Sequence, residues 1–290
     1  MSKKLQPIFL LALMVLVAVI WYTVFYFEEH QNLLVTFFDI GQGDAALVEI
    51  PGGNQILIDG GPSSQILSKI GKTLPFWDRS IDLLILTHPH ADHLDGLLEI
   101  LKRYEIDMVI ESGVDHSIPE YKEWQDLLED KKTKVIIAKA GQKVKLGRST
   151  ELQILSPFKN FTSQTVKNIH EAVVTARLKH NQNSILFMGD AEKSTEYRLL
   201  FESLNSKFLI LDSSVLKVGH HGSKTSSAEE FLKAISPKYA IISAGRKNRY
   251  GHPHQEVLDR FEKLGIKIFR TDLVGDVHLI SDGISYVFGK

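Results

Sequence analysis

The sequence predicts an α+β fold in which two β-sheets are faced by helices, set behind one apolar N-terminal segment. Three observations carry this. Strand-length apolar runs come in series and are broken by helical stretches that return the chain to the sheets. The composition, 43% hydrophobic and 24% charged, suits a globular chain with a sizeable core. Residues 8–27 carry no charge and only Thr23 as a clearly polar side chain, which sets them apart from everything that follows. The division is therefore an N-terminal segment at 1–32 and a single domain at 33–290.

Taken in order, residues 8–27 are long enough to span a bilayer as a helix. Lys3 and Lys4 precede them and Glu28 and Glu29 follow, so the positive-inside rule puts the N-terminus in the cytoplasm and the domain outside. Trp21, Tyr22 and Tyr26 lie toward the outer end, as interfacial anchors do. A cleaved signal peptide is the alternative, although the apolar stretch is long for one and no A-x-A-like site follows it. Gln31 and Asn32 make a short linker. Residues 34–40, 45–50 and 55–59 then read as a meander of strands, with glycine-rich turns at 41–44 and 51–54. A helix at 64–74 follows, then a strand at 81–86 and a helix at 94–104 whose leucines recur at helical spacing. The spacing predicts a short strand at 108–110, a polar loop through His116, and an amphipathic helix at 119–129 opened by Pro119. Strands at 134–138, 143–146 and 151–155 precede a hairpin of 172–178 and 184–188. Helices at 191–204, 228–235 and 255–264 alternate with strands at 216–218, 239–243 and 267–270. Strands at 277–281 and 285–288 close the chain. Each half holds a meander that leads to a strand bearing histidine, without any sequence repeat.

The histidines give the chain its chemistry. Thr87-His88-Pro89-His90-Ala91-Asp92-His93 sits where the 81–86 strand hands over to a helix. His88 and His90 are two apart, so an extended backbone aims both imidazoles the same way. Asp92 and His93 fall at the helix start and can aim at a neighbouring point. Imidazoles and carboxylate together suit zinc, iron or manganese. Asp190 follows the apolar strand 185–188 and a glycine, where a carboxylate can bind two cations or cap the next helix. His220 and His221 end the 216–218 strand; adjacent strand residues face opposite ways, so one of them serves as a direct ligand and the other does not. From 217 to 249 the chain carries Lys217, Lys224, Lys233, Lys238, Arg246, Lys247 and Arg249 against Glu229 and Glu230, an excess that could hold a phosphate. His252 and His254 precede a helix. Asp44 and Asp59 sit in glycine-flanked turns and read equally as turn formers. His30, His116, His180 and His278 carry no local signal.

H-x-H-x-D-H after a hydrophobic strand resembles the metal signature of the metallo-β-lactamase-fold hydrolases. Further motifs, Phe38 to Ala45, Leu57 to Gly61, Phe187 to Ala191, Lys217 to Ser223 and Tyr250 to His254, resemble in the same order the extracytoplasmic hydrolase domain of ComEC-type DNA-uptake proteins. The resemblance implies a four-layer αββα sandwich with the site at one edge, and two divalent metal ions, zinc or manganese. It implies that His88 and His90 hold one metal, Asp92, His93 and His220 the other, with Asp190 bridging. Asp92, Asp190 and His221 become the catalytic candidates, while Asp59, His170, His252, Lys217 and Ser223 support the ligands or meet substrate. Asp59 would fix the orientation of the metal histidines from beneath. Many members have a further histidine on the first metal in a Gly-His loop, which is absent here; His170, in Asn168-Ile169-His170-Glu171, could take its place. Without it the first metal is short of ligands, which leaves manganese open beside zinc.

Exclusions narrow the chemistry. With no cysteine, a disulfide framework, a cysteine zinc site and a thiol nucleophile are ruled out. A net charge of −1 drives no general attraction to nucleic acid and leaves only a local patch to do so. The leading expectation is a membrane-anchored, extracytoplasmic dinuclear metallohydrolase that cleaves phosphodiesters, with DNA as first substrate. The alternatives are an envelope phosphoesterase of phosphorylcholine-esterase type, and a non-catalytic DNA- or polymer-binding partner of a membrane channel. One membrane span cannot form a channel alone, so a separate channel protein is the implied partner.

Overall fold

The computed structural model describes residues 5–29, 32–205 and 211–289, with side chains of 5–7 and 24–29 left out of the description. Lys3, Lys4, His30, Gln31 and Lys290 lie outside the described residues, and Glu28 and Glu29 outside the described side chains. The chain begins with helix α1 (Leu5–Glu29). Its described side chains, at 8–23, are exposed and, Thr23 apart, largely apolar. Among the described residues no helix is long and apolar enough to cross a membrane; the described side chains of α1 cover only part of its length.

The first half of the domain runs β1 (Leu33–Phe37), β2 (Ala46–Glu49), β3 (Gln55–Ile58), α2 (Gln65–Thr73), β4 (Ser80–Ile85), α3 (Ala91–Arg103), β5 (Glu105–Glu111), α4 (Pro119–Asp130) and β6 (Lys134–Ile137). The second half runs β7 (Lys143–Lys145), β8 (Thr150–Ser156), β9 (Thr175–His180), β10 (Asn183–Phe187), α5 (Lys193–Asn205), β11 (Val215–Lys217), α6 (Glu229–Ile235), β12 (Tyr239–Ile242), α7 (Gln255–Lys263), β13 (Lys267–Arg270) and α8 (Thr271–Val274). Strands β14 (Val277–Ser281) and β15 (Tyr286–Gly289) return to the first sheet. One sheet has eight strands in the order β15-β14-β1-β2-β3-β4-β5-β6, the other seven in the order β13-β12-β11-β10-β9-β8-β7.

Period-two burial builds the layers. Val35, Phe37, Val48, Ile56, Ile58, Leu83 and Ile85 face the second sheet and meet Leu152, Ile154, Ala176, Leu178, Ile185 and Phe187 there. Their neighbours Leu47, Leu57 and Leu84 point outward to Ile66, Ile70, Leu94, Leu97 and Leu101 of α2 and α3. On the far side Leu186, Leu216, Ala240 and Ile242 meet Leu199, Phe231, Leu232, Val257 and Phe261 of α5, α6 and α7. The result is an αββα sandwich. Helix α3 packs close on the sheet because Gly96 meets Gly60: a Cβ on Gly96 would stand 1.9 Å from the Gly60 carbonyl oxygen.

Both sheets switch pairing at the same stage. β1-β2-β3 pair antiparallel and β3-β4-β5-β6 parallel; β8-β9-β10 pair antiparallel and β10-β11-β12-β13 parallel. The loops that carry the predicted ligands leave the C-terminal ends of β4, β10 and β11, and the loop of His170 leaves that of β8, which runs in the direction of β10, so all of them reach one edge. Local expectations differ in several places, and helix α8 is not among those expectations. β5 has seven residues rather than three, because it is paired on both sides by β4 and β6. β9 begins at Thr175 because residues 169–172 form a 3₁₀ turn. The hairpin turn is two residues, Asn181 and Gln182, with Asn181 at φ 51.

Candidate metal centre

Asp59 is the floor of the site. It follows β3 at φ 56 and is fully buried. Its Oδ1 accepts the Thr87 backbone N–H at 2.8 Å and its Oδ2 the Thr87 hydroxyl at 2.7 Å. The same Oδ2 lies 2.7 Å from His93 Nδ1. Burial raises its pKa, with His93 and Thr87 pulling the other way. The arrangement locks the start of the histidine segment to β3 and turns His93 Nε2 upward.

Above this floor the side chains form two sets whose potential ligand atoms lie within 4.8 Å of one another: His88, His90, His170 and Asp190; and Asp92, His93, His221 and Asp190. Asp190 belongs to both. Its Oδ2 faces His88 Nε2 at 3.8 Å and His170 Nε2 at 3.9 Å. Its Oδ1 faces His93 Nε2 at 3.3 Å and His221 Nε2 at 3.5 Å. Burial opposes the Asp190 charge, but His221, His93 and His88 hold its pKa well below the usual carboxylate range. Burial, then His93, drives the His88 pKa well below 6.5, which keeps it a neutral imidazole. His93 Nε2, His170 Nε2, His221 Nε2 and Asp190 Oδ1 are buried without a hydrogen-bond partner. Four buried orphans converging on two points fit a pair of divalent cations, since unpaired buried polar atoms otherwise cost free energy.

The paired histidines take other places than expected. His221, not His220, joins Asp92 and His93; its Nε2 lies 3.3 Å from Asp92 Oδ2. The expectation assumed strand alternation, but β11 ends at Lys217 and both histidines lie in a turn with positive φ, 48 and 54. That turn carries His221 into the site, fully enclosed, and leaves His220 at the rim. The His221 Nδ1–H donates to the Ser243 carbonyl at 3.0 Å and stands 3.2 Å from Asp44 Oδ1. Burial opposes protonation there, yet Asp190 and Asp44 raise the pKa to about 10.

His170 sits within the first set rather than beside it, because Asn168 caps the 3₁₀ turn and its side chain accepts the His170 N–H. His170 thus stands beside His88 and His90, where a further ligand was expected. His220 forms a third set with His170 and Glu192. Glu192 Oε1 lies 3.5 Å from His170 Nδ1 and 3.6 Å from His220 Nδ1, so one carboxylate steadies both rings. Asn168 holds the other Glu192 oxygen at 2.9 Å.

Two supporting residues depart from expectation. Lys217 does not face the site mouth: it is buried, with Nζ 2.6 Å from Asp44 Oδ2. The strand that ends at the histidines points it inward beneath them. Ser223 is buried too, its hydroxyl spent within its own turn on Thr225, and it is Thr225 that reaches His220 at 3.2 Å. His252 does lie at the rim, its ring 5.5 Å from that of His220. Sequence reasoning missed Glu192, Asp44 as more than a turn former, and His116, whose ring lies 5.9 Å from His90. Glu192 had one signal, a carboxylate two residues past Asp190; His116 had none outside the fold.

Residues 38–246 match the metallo-β-lactamase superfamily. The chain is 33% identical over 263 residues to ComE operon protein 3 of Bacillus subtilis, covering 84% of this chain and 32% of that protein. It is 32% identical over 250 residues to Recombination protein 2 of Haemophilus influenzae, covering 84% and 28%. It thus spans about a third of the length of these curated relatives. A metallo hydrolase from the archaeon Ignicoccus hospitalis shares the fold, with a TM-score of 0.51 and 18% identity over 89% of this chain and 99% of that one.

Proposed function

This chain belongs to the metallo-β-lactamase superfamily, and from that membership we propose that it is a dinuclear metal-dependent phosphodiesterase acting on DNA outside the cytoplasmic membrane, anchored by α1. The observation that carries the hydrolytic reading is Asp190, one carboxylate with each oxygen turned to a different set of imidazoles. His88, His90 and His170 would hold one cation with it, and Asp92, His93 and His221 the other. Two such ions, when bound, lower the pKa of a coordinated water and stabilise charge on the attacked oxygen. Asp59, Glu192 and Asp44 each stand beside a histidine Nδ1 and orient it. His220 and His252, at the rim, are suited to meet a phosphate oxygen. Three imidazoles in the first set favour zinc, with manganese the weaker candidate.

DNA as substrate rests on the resemblance to ComEC-type DNA-uptake proteins; the curated relatives, of each of which this chain covers about a third, include a competence protein, ComA of Neisseria gonorrhoeae. A separate membrane channel would then be its partner. A second reading, a small envelope phosphoester such as a phosphorylcholine ester, is favoured by one observation. Lys217, expected to help hold a phosphate, is consumed by Asp44, which leaves the patch less basic than the sequence suggests.

The test is metal analysis of the purified full chain beside turnover of bis-p-nitrophenyl phosphate, single-stranded DNA, plasmid and p-nitrophenyl phosphorylcholine. Two metals and cleavage of DNA are expected. Two metals with turnover of the choline ester alone would establish the second reading. A metal-free protein that binds DNA without cutting it would make the chain a binding partner instead.

A further inference from the structure

The metal centre and the N-terminal helix lie at opposite ends of the sandwich. β1 begins at Leu33, beside Ser281 of β14 and, one residue on, Glu49 of β2. Glu49 pairs with Gln55, the first residue of β3, and β4 runs parallel to β3. The starts of β1, β3 and β4 and the end of β14 therefore share one end. The ligand loops leave the other. From Ser80 to His88 the chain spans about 25 Å at strand rise. Helix α1 ends at Glu29, so its end lies within about 14 Å of the start of β1, four residues on.

That same end displays large apolar side chains to solvent. Phe76 is 79% exposed, Trp77 73% and Ile284 73%. None hangs on a loose loop. Phe76 and Trp77 occupy the middle of a turn closed by the Asp78 N–H to Pro75 carbonyl bond, 2.9 Å, and their rings meet edge to face at 4.9 Å. Asp78 also accepts the Gln55 amide at 2.7 Å, which ties the turn to β3. Ile284 tops the β14–β15 turn, where Asp282 accepts its N–H at 2.8 Å and that of Ser285 at 2.7 Å. One turn lies on each side of β1 in the sheet order, hence on each side of the point where α1 joins. A cleft of ≈ 570 Å³ separates Trp77 from Tyr22 of α1.

We propose that this end of the domain seats on the lipid surface, with Phe76, Trp77 and Ile284 entering the headgroup region around α1. The inference rests on the reading of α1 as an anchor. Lipid is the occupant the geometry favours, because the exposed side chains of α1 are apolar, Tyr22 of α1 and Trp77 line one cleft, and aromatic side chains gather at the headgroup depth. The two turns and the helix between them would fix the tilt of the domain. The metal centre would then open away from the membrane, toward polymer in the space outside.

The chain has no cysteine, so single-cysteine variants report one position each. The full chain carrying Trp77→Cys, Ile284→Cys or, at the catalytic edge, Lys247→Cys is labelled with a small polar fluorophore and reconstituted into phosphatidylcholine–phosphatidylglycerol vesicles. Lipids brominated near the carbonyl end of the acyl chain serve as quencher, and flotation reports association. Labels at 77 and 284 should be quenched several-fold more than the label at 247. Equal, weak quenching at all three in protein that floats would overturn the seat and leave the anchor standing. Protein that does not float would overturn the anchor, and the seat with it. A label at 77 that stays unquenched, together with unlabelled Trp77→Cys protein that forms disulfide-linked dimers on mild copper oxidation, would assign this end to a second copy of the chain and overturn the lipid assignment.

Discussion

Lys217→Met asks what the buried ammonium is for. Its Nζ stands 2.6 Å from Asp44 Oδ2, with side chains 4% and 7% exposed. At an effective dielectric constant near 20 the attraction is about 6 kcal/mol, most of it offset by stripping water from two ions. Removing one partner costs more than the pair is worth, because the other is left charged in the interior; about 3–5 kcal/mol is expected. The lower end applies here, since His221 Nδ1 also stands 3.2 Å from Asp44 and part of the charge stays compensated. In a domain of this size the melting temperature should fall by roughly 6–12 °C. Circular dichroism melts of Lys217→Met, Asp44→Asn and the double variant form a cycle that isolates the Lys217–Asp44 coupling from the contact with His221. The double variant should recover part of the loss. A Lys217→Met protein that melts with the parent, and instead raises KM for bis-p-nitrophenyl phosphate, would show that Lys217 binds substrate and that the buried-pair argument is wrong.

His221→Ala should lose the metal held with Asp92 and His93, whereas His220→Ala should keep two metals and lose turnover in part; metal stoichiometry beside kinetics separates them, and the reverse pattern would restore the strand-alternation reading. Asp190→Ala should lower metal content at both sets, since each uses one of its oxygens; full occupancy would remove it from the centre. Gly96→Ala forces a Cβ to 1.9 Å from the Gly60 oxygen, so α3 must shift, at a cost of about 1–3 kcal/mol, read as a lower urea midpoint. Glu196 is buried beneath the N–H groups of Ser227 and Ala228, and burial raises its pKa from 4.5 to about 7. Its contribution, about 3 kcal/mol, is therefore complete below pH 4.5 and lost as pH rises through 7, so Glu196→Gln should flatten that part of the stability profile; an unchanged slope in urea titrations would refute it.

The fold was legible where the chain is locally consistent. Alternation through 33–58 and the leucines at 94, 97, 98 and 101 describe a half-buried meander and an amphipathic helix without tertiary help. The misplaced parts depend on partners. Only three of the seven residues of β5, Met108 to Ile110, form a continuous apolar run, and its first half, Glu105 to Asp107, is strand because β4 pairs with it. Ala172, Val173 and Val174 run apolar from the end of the 3₁₀ turn into β9, so periodicity cannot say where strand begins. Asn168 decides that point through its cap on His170, and a cap is invisible to a hydrophobic pattern.

The site divides the same way, and the division has a cause. His88, His90, Asp92 and His93 lie within six residues, so their convergence is a property of one strand–helix junction and can be read there. Asp190, His170 and His221 reach the same space from three other loops, and each depends on a backbone conformation rather than a spacing. For His221 that conformation is decisive. A strand would have sent it and His220 to opposite faces; two successive residues at positive φ instead rotate the pair, and the expected roles exchange. Positive φ is costly for a side chain with a Cβ. Two histidines hold it in succession, clamped by the His220 N–H to Gly189 carbonyl bond at 3.0 Å and the His221 bond to Ser243. The clamp joins the turn to the loop of Asp190 itself. The second half of the centre is thus assembled as one piece, with the bridging carboxylate and the buried histidine set relative to each other before any cation arrives.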